Sequence, residues 1–175
     1  MILVNTIQDH LQHKKNLSQL IDDFEETNAD GRGRYSLRQG GSQSSDFFMP
    51  TNVAKQHLDY FTQHVISDTM QQLGKQLGLT SCEYVIHQSW YQRYAKADEH
   101  TWHNHPAAHF TNCYFLELPD SSYKTEVLNI NGELIEYDAK EGDVITFPAW
   151  MKHRSKPNGD GQKTIISFNS SYMYP

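Results

Sequence analysis

Apolar positions at Ile7, Leu11, Leu17, Leu20, Ile21 and Phe24 recur at ragged helical spacing, with acidic residues gathering late in DDFEE. The pattern predicts a helix over 6–27. A stronger stripe opens after Pro50-Thr51-Asn52: Ala54, Leu58, Phe61, Val65, Met70, Leu73 and Leu77 recur in steps of three to five, and Gly78 stands where a C-cap glycine would. This second helix should pack one face against a sheet. From Cys82 onward the texture changes. EYVIHQSWYQRY, HFTNCYFLEL, TEVLNI, ELIEYD, DVITFPAW and KTIISFN are rich in β-branched and aromatic residues. Turn signals separate them: PDSS at 119–122, NG at 131–132, EGD at 141–143 and PNGDG at 157–161. NINGEL predicts a hairpin on a two-residue type I′ turn. Helices first, then six to eight strands, predict an α+β fold with a mostly antiparallel β-sandwich or barrel. No internal repeat is visible.

Between the helices, residues 28–46 read NADGRGRYSLRQGGSQSSD. The Gly, Ser, Gln and Arg content marks a long flexible loop, and composition favours a connector over a substrate-gripping lid.

The chain has 175 residues, enough for one domain that needs no disulfide or structural metal to fold. The division expected is a helical lead-in over 1–80 and a β core over 81–175. A net charge of −6, with the one local basic stretch at GRGRYSLR, argues against phosphate-neutralising contact with nucleic acid. Cys82 and Cys113 form no CxxC pair, and two free thiols suit a reducing cytoplasm. The apolar start MILVNTIQDH is too short for a signal core, and no apolar run approaches the roughly 20 residues that cross a bilayer. A cytoplasmic protein with no membrane contact is expected. A homodimer through the helical N-terminus is compatible with the sequence.

The chemistry gathers in HTWHNHP at 100–106. On a strand, positions i and i+2 share a face, so His103 and His105 would aim two imidazoles into one space. His153 follows DVITFPAW and could arrive from a distant strand end. Three nitrogen ligands suit iron, zinc, copper or nickel and leave coordination positions vacant. By spacing alone a metal site and polar surface are equally good accounts of these histidines.

The surroundings shift that balance. Gly142-Asp143 followed by VITFPAWMKH resembles the double-stranded β-helix oxygenases, in which a glycine turn starts a strand that ends in Phe-Pro shortly before a histidine ligand. Upstream, the run from Tyr94 to His105 is similar to the entry strand of prolyl 4-hydroxylases, with Tyr94 nine positions and His100 three positions before the first metal histidine. Lys163 lies ten positions after His153, where many 2-oxoglutarate-dependent iron oxygenases carry the basic partner of the cosubstrate's far carboxylate. The order His-x-His-Pro, Phe-Pro, His and a terminal Ser-Phe-Asn is similar to one group of these oxygenases. The resemblance spans about residues 84–172.

The resemblance implies a double-stranded β-helix (a jelly-roll, cupin-like β-sandwich) over 81–175, preceded by packing helices. It implies Fe(II) held by His103, His105 and His153, and 2-oxoglutarate held by Lys163 with Tyr94, His100 or Tyr91. The activity implied is hydroxylation of a small molecule or peptide with release of succinate and CO2. Two departures matter. Position 105 is a histidine where most relatives carry Asp or Glu, so three neutral imidazoles supply the iron no negative charge. Ile165 stands where many relatives place a serine, and Ser167, on the same strand face by parity, is the expected substitute. A cupin-like three-histidine dioxygenase that does not use 2-oxoglutarate, and a non-catalytic β-sandwich binding module, are the alternatives.

Overall fold

The computed structural model describes residues 1–28, 43–105 and 107–174. Most of the loop expected at 28–46, including Arg32, Arg34 and Arg38, lies outside the described residues, as does Pro106. The chain opens with a short strand, β1 (Leu3–Thr6), then α1 (His10–Asn28). After β2 (Ser44–Ser45) come α2 (Gln56–His64) and α3 (Ser67–Gln76), then β3 (Glu83–Tyr94), β4 (His100–His103) and β5 (Phe110–Glu117). A single 3-10 turn (Ser121–Tyr123) precedes β6 (Glu126–Val127), β7 (Asp143–Pro148), β8 (His153–Ser155) and β9 (Lys163–Met173).

All strand pairs are antiparallel. Six strands form one sheet in the order β1-β7-β5-β9-β3-β2, and three form a second in the order β4-β8-β6. The large sheet is buried on both faces, and strand parity decides which side chain goes where. Tyr91, Tyr114, Leu116, Val144, Ile166 and Phe168 point to the helices and meet Leu17, Ile21, Phe24, Phe61 and Met70. Their neighbours Tyr94, Cys113, Phe115, Ile145, Phe147 and Ile165 point the other way, toward the small sheet. Every candidate site residue on β5 and β9 belongs to this second face.

The sequence differs from the structure at four places. The helix predicted from residue 6 begins at His10: Leu3–Thr6 before it is a strand paired with β7, and Asp9, at φ 52°, turns the chain into α1. The second helix is two helices. Val65 and Ile66 are both buried, and at successive positions one continuous helix would aim them about 100° apart. The break lets both reach the core, with the Val65 and Ile66 amides both donating to the Phe61 carbonyl. Gly78 closes α3 as expected: at φ 71° it donates to the Lys75 carbonyl while Leu79 donates to that of Gly74, a Schellman motif. The NG hairpin is real but not type I′. Asn129 and Glu133 face each other across a three-residue loop in which Gly132, not Asn131, takes positive φ, and the Asn129 side chain accepts from the Asn131 and Glu133 amides. ELIEYD forms no strand beyond a single Leu128–Leu134 bridge.

Of the three tryptophans only Trp90 is buried; Trp150 is 54% exposed. Both cysteines are free. Among the described residues no helix is long and apolar enough to cross a membrane.

A buried carboxylate ties the segment after residue 43 to the large sheet. Asp46 is fully buried and accepts from the Tyr91 amide (2.9 Å), from His57 Nε2 (3.0 Å) and from Lys55 (3.2 Å). Removing one partner of such a buried group leaves the others unpaired. Asp46→Ala is expected to cost roughly 3 kcal/mol of stability, seen as a lower urea midpoint. A midpoint equal to wild type would contradict this role.

Candidate metal centre

The small sheet and the second face of the large sheet converge on three imidazoles. β4 and β8 pair so that His103 lies directly opposite His153. His105 lies two residues beyond the end of β4, where its amide donates to the Ala149 carbonyl (2.9 Å), strapping it to the turn before β8. One nitrogen of each ring lies within 4.8 Å of one nitrogen of the other two. Ring centroids are 4.2 Å apart for His103 and His153, and 5.1 Å for the other two pairs.

The donor chemistry fits a metal. His103 Nδ1–H donates to the Thr101 carbonyl (2.8 Å) and His153 Nδ1–H to the Met151 carbonyl (3.1 Å), which leaves both Nε2 lone pairs free. Among the described residues His105 Nε2 is buried with no hydrogen-bond partner. An unpaired buried imidazole nitrogen beside two others is a ligand geometry, since a buried polar atom is otherwise satisfied. Burial holds all three rings neutral: His105 is pushed down to about 4 and His153 to about 3, with repulsion from neighbouring imidazoles adding to burial for these two, and His103 is lowered by burial against its bond to Thr101. Neutral imidazole is the ligating form.

The same shifts set a pH dependence. In the unfolded chain these rings titrate near 6.5, and in the fold they resist protonation. Between pH 6.5 and about 4 the unfolded chain therefore holds more protons, and stability falls as pH falls. The urea midpoint of the metal-free protein is expected to drop across that window, with a shallower slope in His153→Gln. Parallel slopes would contradict it.

Around the triad lies a cleft lined by Trp90, Gln92, Tyr94 and His100, by Thr111 and Cys113, and by Ser155, Ile165 and Ser167. Trp90 tilts against the His105 ring at 5.5 Å, and His100 lies over His103 at 4.1 Å. Burial pushes the His100 ring down to about 4. Arg154 stands at the cleft with its guanidinium over Trp102 (4.6 Å) and bonded to Glu126 (2.6 Å).

Lys163 begins β9 and is completely buried. Its ammonium donates to the Tyr123 carbonyl (2.7 Å) and the Ser155 hydroxyl (2.6 Å), and lies 4.9 Å from the centre of the Tyr94 ring. These partners are neutral, and burial pulls its pKa down to about 8. The ammonium sits behind Ser155, which itself lines the cleft. Ser155 escaped the sequence analysis, although it lies two residues after His153 and so shares its strand face.

The structure thus brings His103, His105, His153, His100, Tyr94 and Ser167 to one cleft, with Lys163 at its end. It does not bring Tyr91 there. Tyr91 is three positions from Tyr94, an odd step along a strand, so its ring faces the helices against Phe24 (6.2 Å) and His57 (5.3 Å).

No family model matches the sequence, and no curated protein matches it. Solved structures do match. An oxidoreductase of the 2OG-Fe(II) oxygenase family from Burkholderia pseudomallei aligns at 17% identity and TM-score 0.55, over 66% of this chain and 56% of that one. The viral collagen prolyl hydroxylase of Paramecium Bursaria Chlorella virus-1, solved as a 2OG complex, aligns at 13% identity and TM-score 0.60 over 97% of this chain and 94% of that one. A prolyl hydroxylase from Trichoplax adhaerens, in complex with a hypoxia inducible factor peptide fragment, aligns at 12% identity and TM-score 0.64 over 99% and 83%. The chain spans little more than half the length of the Burkholderia protein and most of the other two. At these identities the likeness carries architecture: the chain has the fold of the 2OG-Fe(II) oxygenases and prolyl hydroxylases.

Proposed function

We propose that the protein is a non-haem Fe(II) and 2-oxoglutarate-dependent oxygenase that hydroxylates a small molecule or a peptide. In this reading the two sheets are the walls of a double-stranded β-helix, and residues 1–175 act as one domain. The observation that carries the proposal is a set of three converging imidazoles in one cleft with a buried cation just beyond its wall. Three neutral imidazoles meet with a buried Nε2 unpartnered among the described residues, and a buried ammonium beyond Ser155 hydrogen-bonds to a carbonyl and a hydroxyl, with the Glu126 carboxylate acting on it only through space. A buried cation without a counter-charge is costly, and a dicarboxylate seated on the metal would supply it.

When bound, Fe(II) supplies oxygen activation coupled to oxidative decarboxylation of 2-oxoglutarate. The chain's own residues do the rest. His103, His105 and His153 hold the ion on one side. Lys163 pairs with the far carboxylate, and Ser155, Ser167, Tyr94 and His100 offer hydrogen bonds along the cleft. Trp90, Phe147 and Ile165 keep water out of it, which strengthens each of these contacts. Lys163 rather than arginine gives a point charge whose state depends on pH, so cosubstrate affinity is expected to fall as pH rises through about 8.

The test is succinate formation from 2-oxoglutarate in air with Fe(II), with or without added substrate. Oxygen-dependent succinate that disappears on omitting iron is the expected result, and its absence under all conditions would refute the proposal. The lack, among the described residues, of any carboxylate in the metal cluster favours one second reading, a cupin-like three-histidine dioxygenase without 2-oxoglutarate. That reading is marked by tight iron binding that 2-oxoglutarate leaves unchanged.

A further inference from the structure

Two of the three imidazoles have their tautomer fixed by the main chain, each through the carbonyl two residues before it. His105 is different. Its Nδ1 faces the side-chain amide of Asn169, 3.3 Å away on β9. A neutral imidazole carries one N–H, so whatever faces Nδ1 decides where the proton sits. With Asn169 Nδ2 donating to Nδ1, the proton rests on Nε2, which is buried with nothing to accept it and is then unable to bind a metal. With the amide turned over, Oδ1 accepts from Nδ1–H and the Nε2 lone pair faces the other two rings. An amide's oxygen and nitrogen exchange places by rotation about one bond.

The surroundings permit both states. The other end of the amide meets the Thr111 hydroxyl, 3.4 Å from Oδ1, and a hydroxyl donates to an oxygen or accepts from a nitrogen equally well. Thr111 and Asn169 are direct partners in the β5–β9 register and both are buried, so the amide can rotate but not leave. Asn112, the next residue on β5, is committed elsewhere, to the Phe168 carbonyl and the Ser170 hydroxyl.

We propose that Asn169 is the positioning residue that sets the tautomer of His105, and that the centre is ready for metal only when the amide carbonyl faces the ring. This rests on the three-histidine reading above and adds a residue that touches neither metal nor substrate.

The test uses the full chain and Co(II), titrated without oxygen and followed by its visible absorption. Asn169→Asp keeps the size and only accepts, so it enforces Nδ1–H. Asn169→Leu keeps the size and does neither. Wild type and Asn169→Asp are expected to bind one Co(II), the variant at least as tightly, while Asn169→Leu binds about ten- to a hundredfold more weakly. Recovery in Asn169→Asp separates tautomer control from mere packing, which aspartate would not restore. Asn169→Leu equal to wild type, or Asn169→Asp as weak as the leucine variant, would overturn the proposal. A wild-type chain that takes up no Co(II) would instead overturn the three-histidine reading, and this proposal with it.

Discussion

Replacing Lys163 with methionine is expected to weaken 2-oxoglutarate binding about a hundredfold or more while leaving metal binding unchanged. The side chain is wholly buried, and its ammonium has a carbonyl, a hydroxyl and an aromatic ring for company. A carboxylate arriving there forms a desolvated charge pair, and removing one member of such a pair costs about 3–5 kcal/mol, two to three orders of magnitude in affinity. Methionine keeps the volume and removes the charge. Because a buried ammonium hydrogen-bonded only to neutral groups is itself unfavourable, the metal-free variant should melt within a few degrees of wild type. Isothermal titration of the metal-loaded protein with 2-oxoglutarate is the measurement. An affinity equal to wild type would remove Lys163 from the site and favour the reading without 2-oxoglutarate.

His153→Ala is expected to lower metal affinity by at least a hundredfold, more than the loss typical of a residue that only supports a ligand. His153 is the most buried of the three rings, and its strand lies between the other two of the small sheet, so its donor atom has little freedom to be replaced. Relief from burying an imidazole partly offsets the cavity left behind, so the fold should persist. The control is His109→Ala, an exposed histidine in the loop following His105, which should bind metal as wild type does. Equilibrium dialysis against Fe(II) under argon, with the metal counted per chain, distinguishes the two. Equal loss in both variants, or in neither, would contradict the assignment.

How much of this was legible in the sequence depends on what kind of signal each residue left. The three histidines are visible by type and spacing but point to a metal only together with the glycine turn and Phe-Pro around them, and Lys163 is visible by its distance from His153. Parity on one strand places Ile165 and Ser167 together, and the structure keeps both in one cleft, with Asn169 on the same face bonded to His105. The same rule, applied to Tyr91 and Tyr94, would have separated them, because an odd step flips the face. Ser155 left only the weak signal of standing two residues after His153, and Thr111 left none, since small hydroxyl residues are common on any strand and only the cross-strand register gives them partners. The helical break at Val65-Ile66 was hidden for a similar reason: both residues are apolar, and only the core decides that both must point inward. The NG turn was visible, but the Asn129 side chain, accepting two amides, drew the loop to three residues. His57 and Asp46 were unmarked, being a buried pair whose role appears only once α2 lies against β3.

The central claim is that His103, His105 and His153 hold one ion and leave positions open on its other side. X-ray absorption at the iron edge, on the protein loaded with one Fe(II) under argon, tests this most directly. The expected result is three imidazole nitrogens bound directly to the iron and completed by oxygen donors, whose number or spacing changes when 2-oxoglutarate is added. Fewer than three imidazoles, or an ion still bound in full when His103 and His153 are both alanine, would contradict it.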